Sequence, residues 1–313
     1  MIKPINSMIS KAQLCLTALL FCCWLSAAGP ATAAAAELRV ITGIAPLSFL
    51  VAEIGGERVR VGTLIPPGQD PHTFEPRPGQ VTELARADIF FALNMPFERT
   101  LLARTPQQQG SGPQIIDVSR NIDKLPMPEH HHDHDHRHGE GAAHRHGELD
   151  PHIWLGPEEL LIISRHILNG LSAADPDHAA HYQAAHERLR QRIKELHARN
   201  QARLAPLAGQ TFFVYHPAFG YFAAAYDLQQ KPVEIAGKSP TPRQLIALIE
   251  AARREGVRVV FTQPQFDRRS ADAVARAIDG RVVMLDPLAA DVLRNLEQMA
   301  SVIQEALTPS GDQ

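Results

Sequence analysis

The sequence predicts an α/β fold of two lobes, each with a parallel-rich sheet flanked by helices, joined by one long rigid connector helix. Short apolar runs alternate with helical segments over residues 38–118 and again over 211–307, a pattern typical of parallel sheets. Residues 176–204 lie between these regions and carry many charges but no glycine and no internal proline. A helix of about 29 residues would span about 43 Å, longer than one lobe. We therefore divide the chain into a signal peptide (1–36), an N-terminal lobe (37–173), a connector helix (174–206) and a C-terminal lobe (207–313).

The N-terminal lobe is predicted to contain four strands that alternate with helices. The apolar runs LRVITGI and IFFAL are typical of buried strands, and Gly55 with Gly56 ends the first helix. The predicted strands are 38–44, 59–65, 89–93 and 114–118, and the predicted helices are 46–54, 81–86, 97–103 and 157–171.

The C-terminal lobe repeats this alternation, although no internal repeat has a recognisable period. The runs VRVVFT and RVVML predict strands, and Pro242 suits the first turn of a helix. The predicted strands are 211–215, 257–262 and 281–285, with an extended segment at 233–236; the predicted helices are 220–225, 241–255, 270–278 and 291–307.

The N-terminus has the pattern of a secretory signal peptide. Lys3 and Lys11 precede an apolar run at 14–25, and small residues with Ala-x-Ala cleavage options follow at 27–36. A retained membrane anchor is the alternative interpretation. We expect export to the periplasm as a soluble protein, with cleavage near residues 33–36.

Cysteine usage limits the chemistry of the mature chain. The three cysteines (Cys15, Cys22 and Cys23) all lie in the signal peptide, and Phe21 before Cys22 does not suit lipoprotein cleavage. Any metal site must therefore use histidine and carboxylate side chains. The formal charge of −3 and the lack of a basic block argue against a nucleic-acid partner.

A His-rich run at 130–146 lies within a long predicted loop at 119–150. Imidazoles and carboxylates at this density bind zinc, nickel and copper, so we predict an accessory metal-collecting loop; a merely polar linker is the alternative. Flexible ligands fix no geometry, so a selective site must lie elsewhere. The histidines of the run are His130, His131, His132, His134, His136, His138, His144 and His146.

Four metal-binding side chains are predicted at strand ends or loops, where ligands of α/β sheets bind. They are His72, His152, His216 and Asp286. Each lies directly beside a proline, which stiffens the local backbone. Three imidazoles and one carboxylate form a suitable tetrahedral zinc site. Taken singly, each residue could instead be a hydrogen-bonded or capping side chain.

Other polar residues are predicted to be less important. Four histidines of the connector region are interpreted as a solvated face. Glu75 is either a carboxylate that orients His72 or a plain surface residue. The four histidines are His178, His181, His186 and His197.

The segments PPGQDPHTFEPRP, DPHIWLGP, YHPAFGYFA and LDPL, in this order, resemble the metal-binding class of ABC-transporter substrate-binding proteins. The resemblance covers residues 38–307 and implies two α/β lobes bridged by a rigid helix, with one divalent ion between them. It also implies delivery to a permease at the inner membrane. The ligands carried over by the resemblance are His72, His152, His216 and Asp286.

Zinc is the expected ion. In the manganese and iron branch of this family the third ligand tends to be Glu, whereas a third imidazole at His216 favours zinc. The His-rich loop is also typical of the zinc-uptake branch. Two departures put details in doubt: Gln263 stands where relatives often carry Glu, and the fourth ligand varies, so that Asp286 could be replaced by water or another carboxylate.

Three other functions are compatible with the sequence. One is a manganese-binding transport protein of the same family, and another is a periplasmic zinc buffer or adhesin. A zinc hydrolase is the third, since three histidines with an open position can be catalytic, but the chain has no HExxH motif. We expect a monomeric zinc-capture protein rather than an enzyme.

Overall fold

A computed structural model describes residues 37–104, 112–127, 149–234, 241–266 and 268–308. The predicted signal peptide and the His-rich run at 130–146 lie outside the described residues. Within the described part of the chain, no helix is long and apolar enough to cross a membrane.

The N-terminal lobe is built on one parallel four-stranded sheet in the order β2-β1-β3-β4. All four side chains of β3 are buried because helices cover both faces of the sheet. The elements are β1 (Leu38–Thr42), α1 (Ala45–Gly55), β2 (Val59–Thr63), α2 (Pro78–Arg86), β3 (Ile89–Ala92), α3 (Pro96–Arg104), β4 (Gln114–Asp117) and α4 (Pro157–Ala174).

The connector helix α5 (Ala179–Leu204) has 26 residues, which confirms the predicted long helix. Its buried side chains recur at helical spacing and form one face, which includes Tyr182, Leu189, Ile193 and Leu196. This face packs against α1 and α4 of the N-terminal lobe and against the last helix of the chain. The connector is therefore held by both lobes.

The C-terminal lobe has a second parallel sheet, in the order β6-β5-β7-β8. The strands of the two sheets follow the same order along the chain. The two lobes therefore share one topology, although the sequence shows no repeat. The elements are β5 (Thr211–Val214), α6 (Gly220–Ala225), β6 (Gln229–Pro232), α7 (Pro242–Arg254), β7 (Val259–Thr262), α8 (Arg268–Ala277), β8 (Arg281–Met284) and α9 (Val292–Leu307).

A continuous hydrophobic core runs through both lobes. It includes Phe90 and Leu160 of the N-terminal lobe, Ile193 of the connector, and Phe212 and Leu296 of the C-terminal lobe. A separate, smaller cluster covers the other face of the second sheet, around Phe213 and Val260. Burial of shared apolar surface therefore holds the lobes together.

The predicted elements are confirmed to within three residues, with one exception in the C-terminal lobe. The extended segment predicted at 233–236 is misplaced, because the strand at this edge of the sheet, β6, lies at Gln229–Pro232. Residues 235 and 236 lie outside the described residues. Its polar residues Gln229, Gln230 and Lys231 pair with β5 only, at the edge of the sheet. Such an edge strand lacks the apolar run by which buried strands are recognised.

The solvated-face interpretation of the connector histidines is wrong for His186. Its side chain is only 3% exposed and lies 3.3 Å from Ser164 Oγ of α4. His178 is partly buried and contacts Asp175 at 2.8 Å. The charged residues next to His186 in sequence favoured an exposed position, but its side chain lies on the buried face of the helix.

Candidate metal centre

The structure brings three of the four predicted ligands together. One ring nitrogen each of His72, His152 and His216 lies within 4.8 Å of the other two, and among the described residues this is the one such group. The ring centroids are 4.9 to 5.8 Å apart. His152 and His216 are buried, whereas His72 is exposed. The separations leave room for one ion bound by all three rings.

Two of these histidines are presented by the same tripeptide, Asp-Pro-His. The backbone N–H of His72 donates to Asp70 Oδ1 at 2.9 Å. In the second copy, the backbone N–H of His152 donates to Asp150 Oδ1 at the same distance. The aspartate accepts the bond and the proline fixes the intervening backbone, so each turn is rigid before any ligand binds.

A buried carboxylate orients each buried imidazole. His152 Nδ1 lies 2.7 Å from Asp150 Oδ1, and His216 Nδ1 lies 2.5 Å from Glu234 Oε1. When Nδ1 carries the proton and donates it, the lone pair is left on Nε2. Nε2 of His152 and Nε2 of His216 lie 3.3 Å apart. Two lone pairs facing each other at this distance repel, and a cation bound between them relieves that repulsion.

Neither orienting carboxylate, Asp150 or Glu234, was predicted from the sequence. Asp150 could have been found, because the tripeptide Asp-Pro-His occurs twice. Glu234 had no such signal: it follows the edge strand β6, which was misplaced. Both side chains are almost completely buried, at 1% and 4% exposure, and buried carboxylates need a compensating positive charge.

Gln263 fixes the backbone at His216. Its Oε1 accepts the His216 N–H at 3.3 Å, and its Nε2 donates to the His216 carbonyl at 2.7 Å. The predicted departure from the family pattern therefore lies beside a predicted ligand, His216, and holds its backbone in place. Glu75 is exposed, and its proposed role beside His72 stays a prediction.

The walls of the cavity are largely apolar. Phe266 stacks on His216 with ring centroids 4.9 Å apart, and Trp154 contacts His152 edge to face at 5.3 Å. The indole N–H of Trp154 also donates to the carbonyl of Pro287 across the two lobes, at 2.7 Å. An apolar wall lowers the local dielectric constant and strengthens ligand–ion attraction.

Asp286, the fourth predicted ligand, is not in the group of three histidines. Its Oδ1 accepts from Gln265 Nε2 at 2.8 Å and from the backbone N–H of Leu288 at 3.0 Å. These contacts hold the carboxylate in a turn beside the cavity. Its role as a ligand stays a prediction.

The predicted His-rich loop is anchored next to this centre. Asp150 N–H donates to the carbonyl of Leu125 at 2.7 Å, and Pro126 pairs with Leu149 in an isolated antiparallel bridge. The hydroxyl of Tyr221 accepts from the N–H of Leu125 and donates to the carbonyl of Asp150. The two ends of the predicted loop are therefore held together by described residues.

Comparison with known proteins identifies the family. The model of zinc-uptake complex component A, periplasmic (ZnuA), matches residues 40–306. The high-affinity zinc uptake system protein ZnuA of Bacillus subtilis is 28% identical, over 84% of this chain and 82% of that protein.

Solved structures agree with this match. A crystal structure of ZnuA is 31% identical, covers 87% of this chain and all of that chain, and has a TM-score of 0.78. A ZnuA deletion mutant with zinc bound has the same TM-score, 32% identity, and covers 88% of this chain and all of that chain. The chain belongs to the ZnuA family of zinc-binding solute-binding proteins of ABC importers.

Proposed function

We propose that His72, His152 and His216 hold the zinc ion that this protein captures for an ABC importer. The observation that carries the proposal is the contact between the two Nε2 atoms, 3.3 Å apart, each backed by a carboxylate on Nδ1. Neutral imidazole nitrogens are good zinc ligands, and the two carboxylates balance the charge of a divalent ion.

The site suits zinc better than manganese. Manganese prefers oxygen ligands, whereas all three clustered ligand atoms here are imidazole nitrogens. The carboxylates Asp150 and Glu234 contact the far nitrogen of each ring and so act behind the ligands. His216 thus favours zinc over manganese because it offers a nitrogen atom rather than an oxygen atom to the ion.

The same carboxylates argue against a hydrolase. A zinc hydrolase needs a general base that can reach a zinc-bound water. Asp150 and Glu234 are each engaged by a ring Nδ1. We propose that the protein is a binding protein and not an enzyme.

The location of the protein, its delivery of zinc and the role of its His-rich run are proposed from the family and from the sequence. The protein acts outside the cytoplasm as a monomer, after signal cleavage near residues 33–36, and hands zinc to a permease at the inner membrane. The His-rich run at 130–146 collects zinc weakly and is not required for the tight site. No nucleic acid is a partner.

Zinc titration of a loop-replaced protein tests the proposal. Pro126 and Leu149 are bridge partners, so residues 127–148 can be replaced by Asn-Gly as a two-residue hairpin loop. In calorimetry with a competing chelator, this variant should keep one tight zinc site and lose the weaker ones.

Two control proteins complete this experiment. His216→Ala in the loop-replaced protein should bind zinc at least about 100-fold more weakly. The intact protein should show the tight site together with weaker binding. Loss of the tight site in the loop-replaced protein, or a tight site that survives His216→Ala, would overturn the proposal.

A further inference from the structure

The turn at Asp286 is the C-terminal counterpart of the turn at Asp150. By strand order, β8 corresponds to β4, and each is followed by an Asp-Pro-x tripeptide, although an insertion separates β4 from Asp150. In both turns the aspartate Oδ1 accepts the backbone N–H two residues later, at 2.9 Å for Asp150 and 3.0 Å for Asp286. The residue in the third position is His152 in one turn and Leu288 in the other.

Each aspartate also accepts a second bond from a side chain beside the cavity. For Asp150 the donor is His152 Nδ1, and for Asp286 it is Gln265 Nε2 at 2.8 Å. The Asp150 contact orients a metal ligand. The Asp286 contact fixes the orientation of an amide, since a primary amide that donates through nitrogen presents its oxygen in a different direction.

Gln265 Oε1 is the other end of this amide. It is buried and has no hydrogen-bond partner within the described residues, and buried carbonyl oxygens nearly always have one. Gln265 lines the same cavity as the three histidines, together with Phe266 and Leu288. An unpartnered oxygen at this place is suited to a cation or to a water bound to one.

We propose that Gln265 supplies the oxygen for the fourth position of the zinc site, directly or through one bound water, and that Asp286 is the positioning residue that orients its amide. This inference rests on the proposed function. Asp286 then acts on Gln265 as Asp150 acts on His152. A neutral amide oxygen attracts hard ions less than a carboxylate does, so the arrangement favours zinc over manganese.

Substitutions at the two residues test this assignment. Gln265→Met preserves the side-chain volume but removes the amide, and it should weaken zinc binding about 10-fold. Asp286→Asn should weaken it by a similar factor, because the amide loses its charged acceptor. The double variant should be no weaker than the weaker single variant, because both changes remove one interaction.

A spectroscopic measurement separates a role at the ion from a role in folding. With Co²⁺ as the probe, Gln265→Met should change the visible absorption bands, which report the ligands of the ion. Gln229→Met, at an exposed position on β6, is the matched control and should change neither the spectrum nor the zinc affinity.

The possible outcomes distinguish this inference from the proposed function. If Asp286→Asn weakens zinc binding while Gln265→Met does not, Asp286 is itself the ligand and the inference is overturned. Unchanged binding in both variants overturns it as well, since water alone then completes the site. If His216→Ala leaves zinc affinity unchanged in the same assay, the proposed function fails, whatever the behaviour of Gln265.

Discussion

The two lobes have the same strand order but present different side chains where equivalent strands end. After the second strand, the N-terminal lobe has His72 and the C-terminal lobe has Glu234. After the first strand, only the C-terminal lobe has a proposed ligand, His216, whereas β1 is followed by Gly43. The proposed metal centre therefore takes different residues from two lobes that share one strand order. The orienting carboxylate comes from the same lobe as the ring it contacts.

The lobes also differ in how they are packed. The sheet of the N-terminal lobe lies in the continuous core, and that core extends through α5 to one face of the second sheet. The other face of the second sheet has its own cluster of fewer residues. A substitution in the shared core is thus expected to lower the stability of the whole molecule. A substitution in the outer cluster is expected to affect the C-terminal lobe alone.

The largest expected effects come from removing one ligand from each lobe. His72→Ala and His216→Ala should each weaken zinc binding at least about 100-fold, since two imidazoles cannot complete the site. Only His216→Ala should also lower the melting temperature without metal, because it leaves the buried Glu234 without its ring partner.

Competition with a chelator measures the zinc affinity of the two variants, and thermal unfolding without metal measures their melting temperatures. Because His72 is exposed, its alanine variant is the control for a change confined to the ligand. Equal losses of melting temperature in the two variants would show that the buried contact of His216 with Glu234 adds nothing to stability.

Orienting carboxylates should give the next largest effects. Asp150→Asn and Glu234→Gln keep the side-chain shape but remove the charge that fixes each Nδ1 proton. Each should weaken zinc binding about 10- to 100-fold. Asp70→Asn is the matched control, since Asp70 Oδ1 accepts the backbone N–H of His72. This variant should lose less zinc affinity than the other two. A larger loss for Asp70→Asn would contradict the role given to the buried carboxylates.

Much of this arrangement was predictable from the sequence, for identifiable physical reasons. Apolar runs such as that of β3 predicted buried strands. Histidines beside prolines at strand ends or in loops predicted the three side chains that the structure brings together. The edge strand β6 was misplaced because an edge can be polar. The burial of His186 and the role of Glu234 depend on contacts between segments far apart in sequence, which local patterns do not encode.

A smaller effect is expected at the ends of the third strands, where the lobes differ in charge. Beyond β3 the N-terminal lobe buries Glu98, whereas directly after β7 the C-terminal lobe has neutral Gln263. Burial raises the pKa of Glu98 to about 8 from an ordinary value near 4.5, and the nearby Asp117 adds to the rise. Glu98 Oε2 accepts the Met95 N–H at 2.9 Å, while Oε1 is buried without a hydrogen-bond partner within the described chain.

The sign of the pH dependence follows from the raised pKa. The native state holds a proton that the unfolded chain releases above pH 4.5, so the contribution of Glu98 to stability falls as the pH rises towards 8. Glu98→Gln should therefore increase the unfolding free energy at pH 9 on the order of 1–2 kcal/mol, with little change at pH 5. Denaturant unfolding at both pH values measures this, and an equal change at both would contradict it.

The smallest effects are expected from the ion pairs that join the connector to each lobe. Arg192 of α5 pairs with Glu53 of the N-terminal lobe, and Arg199 pairs with Glu297 of the C-terminal lobe at 3.2 Å. Both pairs are partly exposed, so Arg192→Ala and Arg199→Ala should each cost less than about 1 kcal/mol of unfolding free energy. Ile193→Ala, one residue from the first arginine and fully buried, should cost about 2–4 kcal/mol because it leaves a cavity in the shared core. If either arginine variant costs as much as Ile193→Ala, charge rather than apolar burial holds that lobe to the connector.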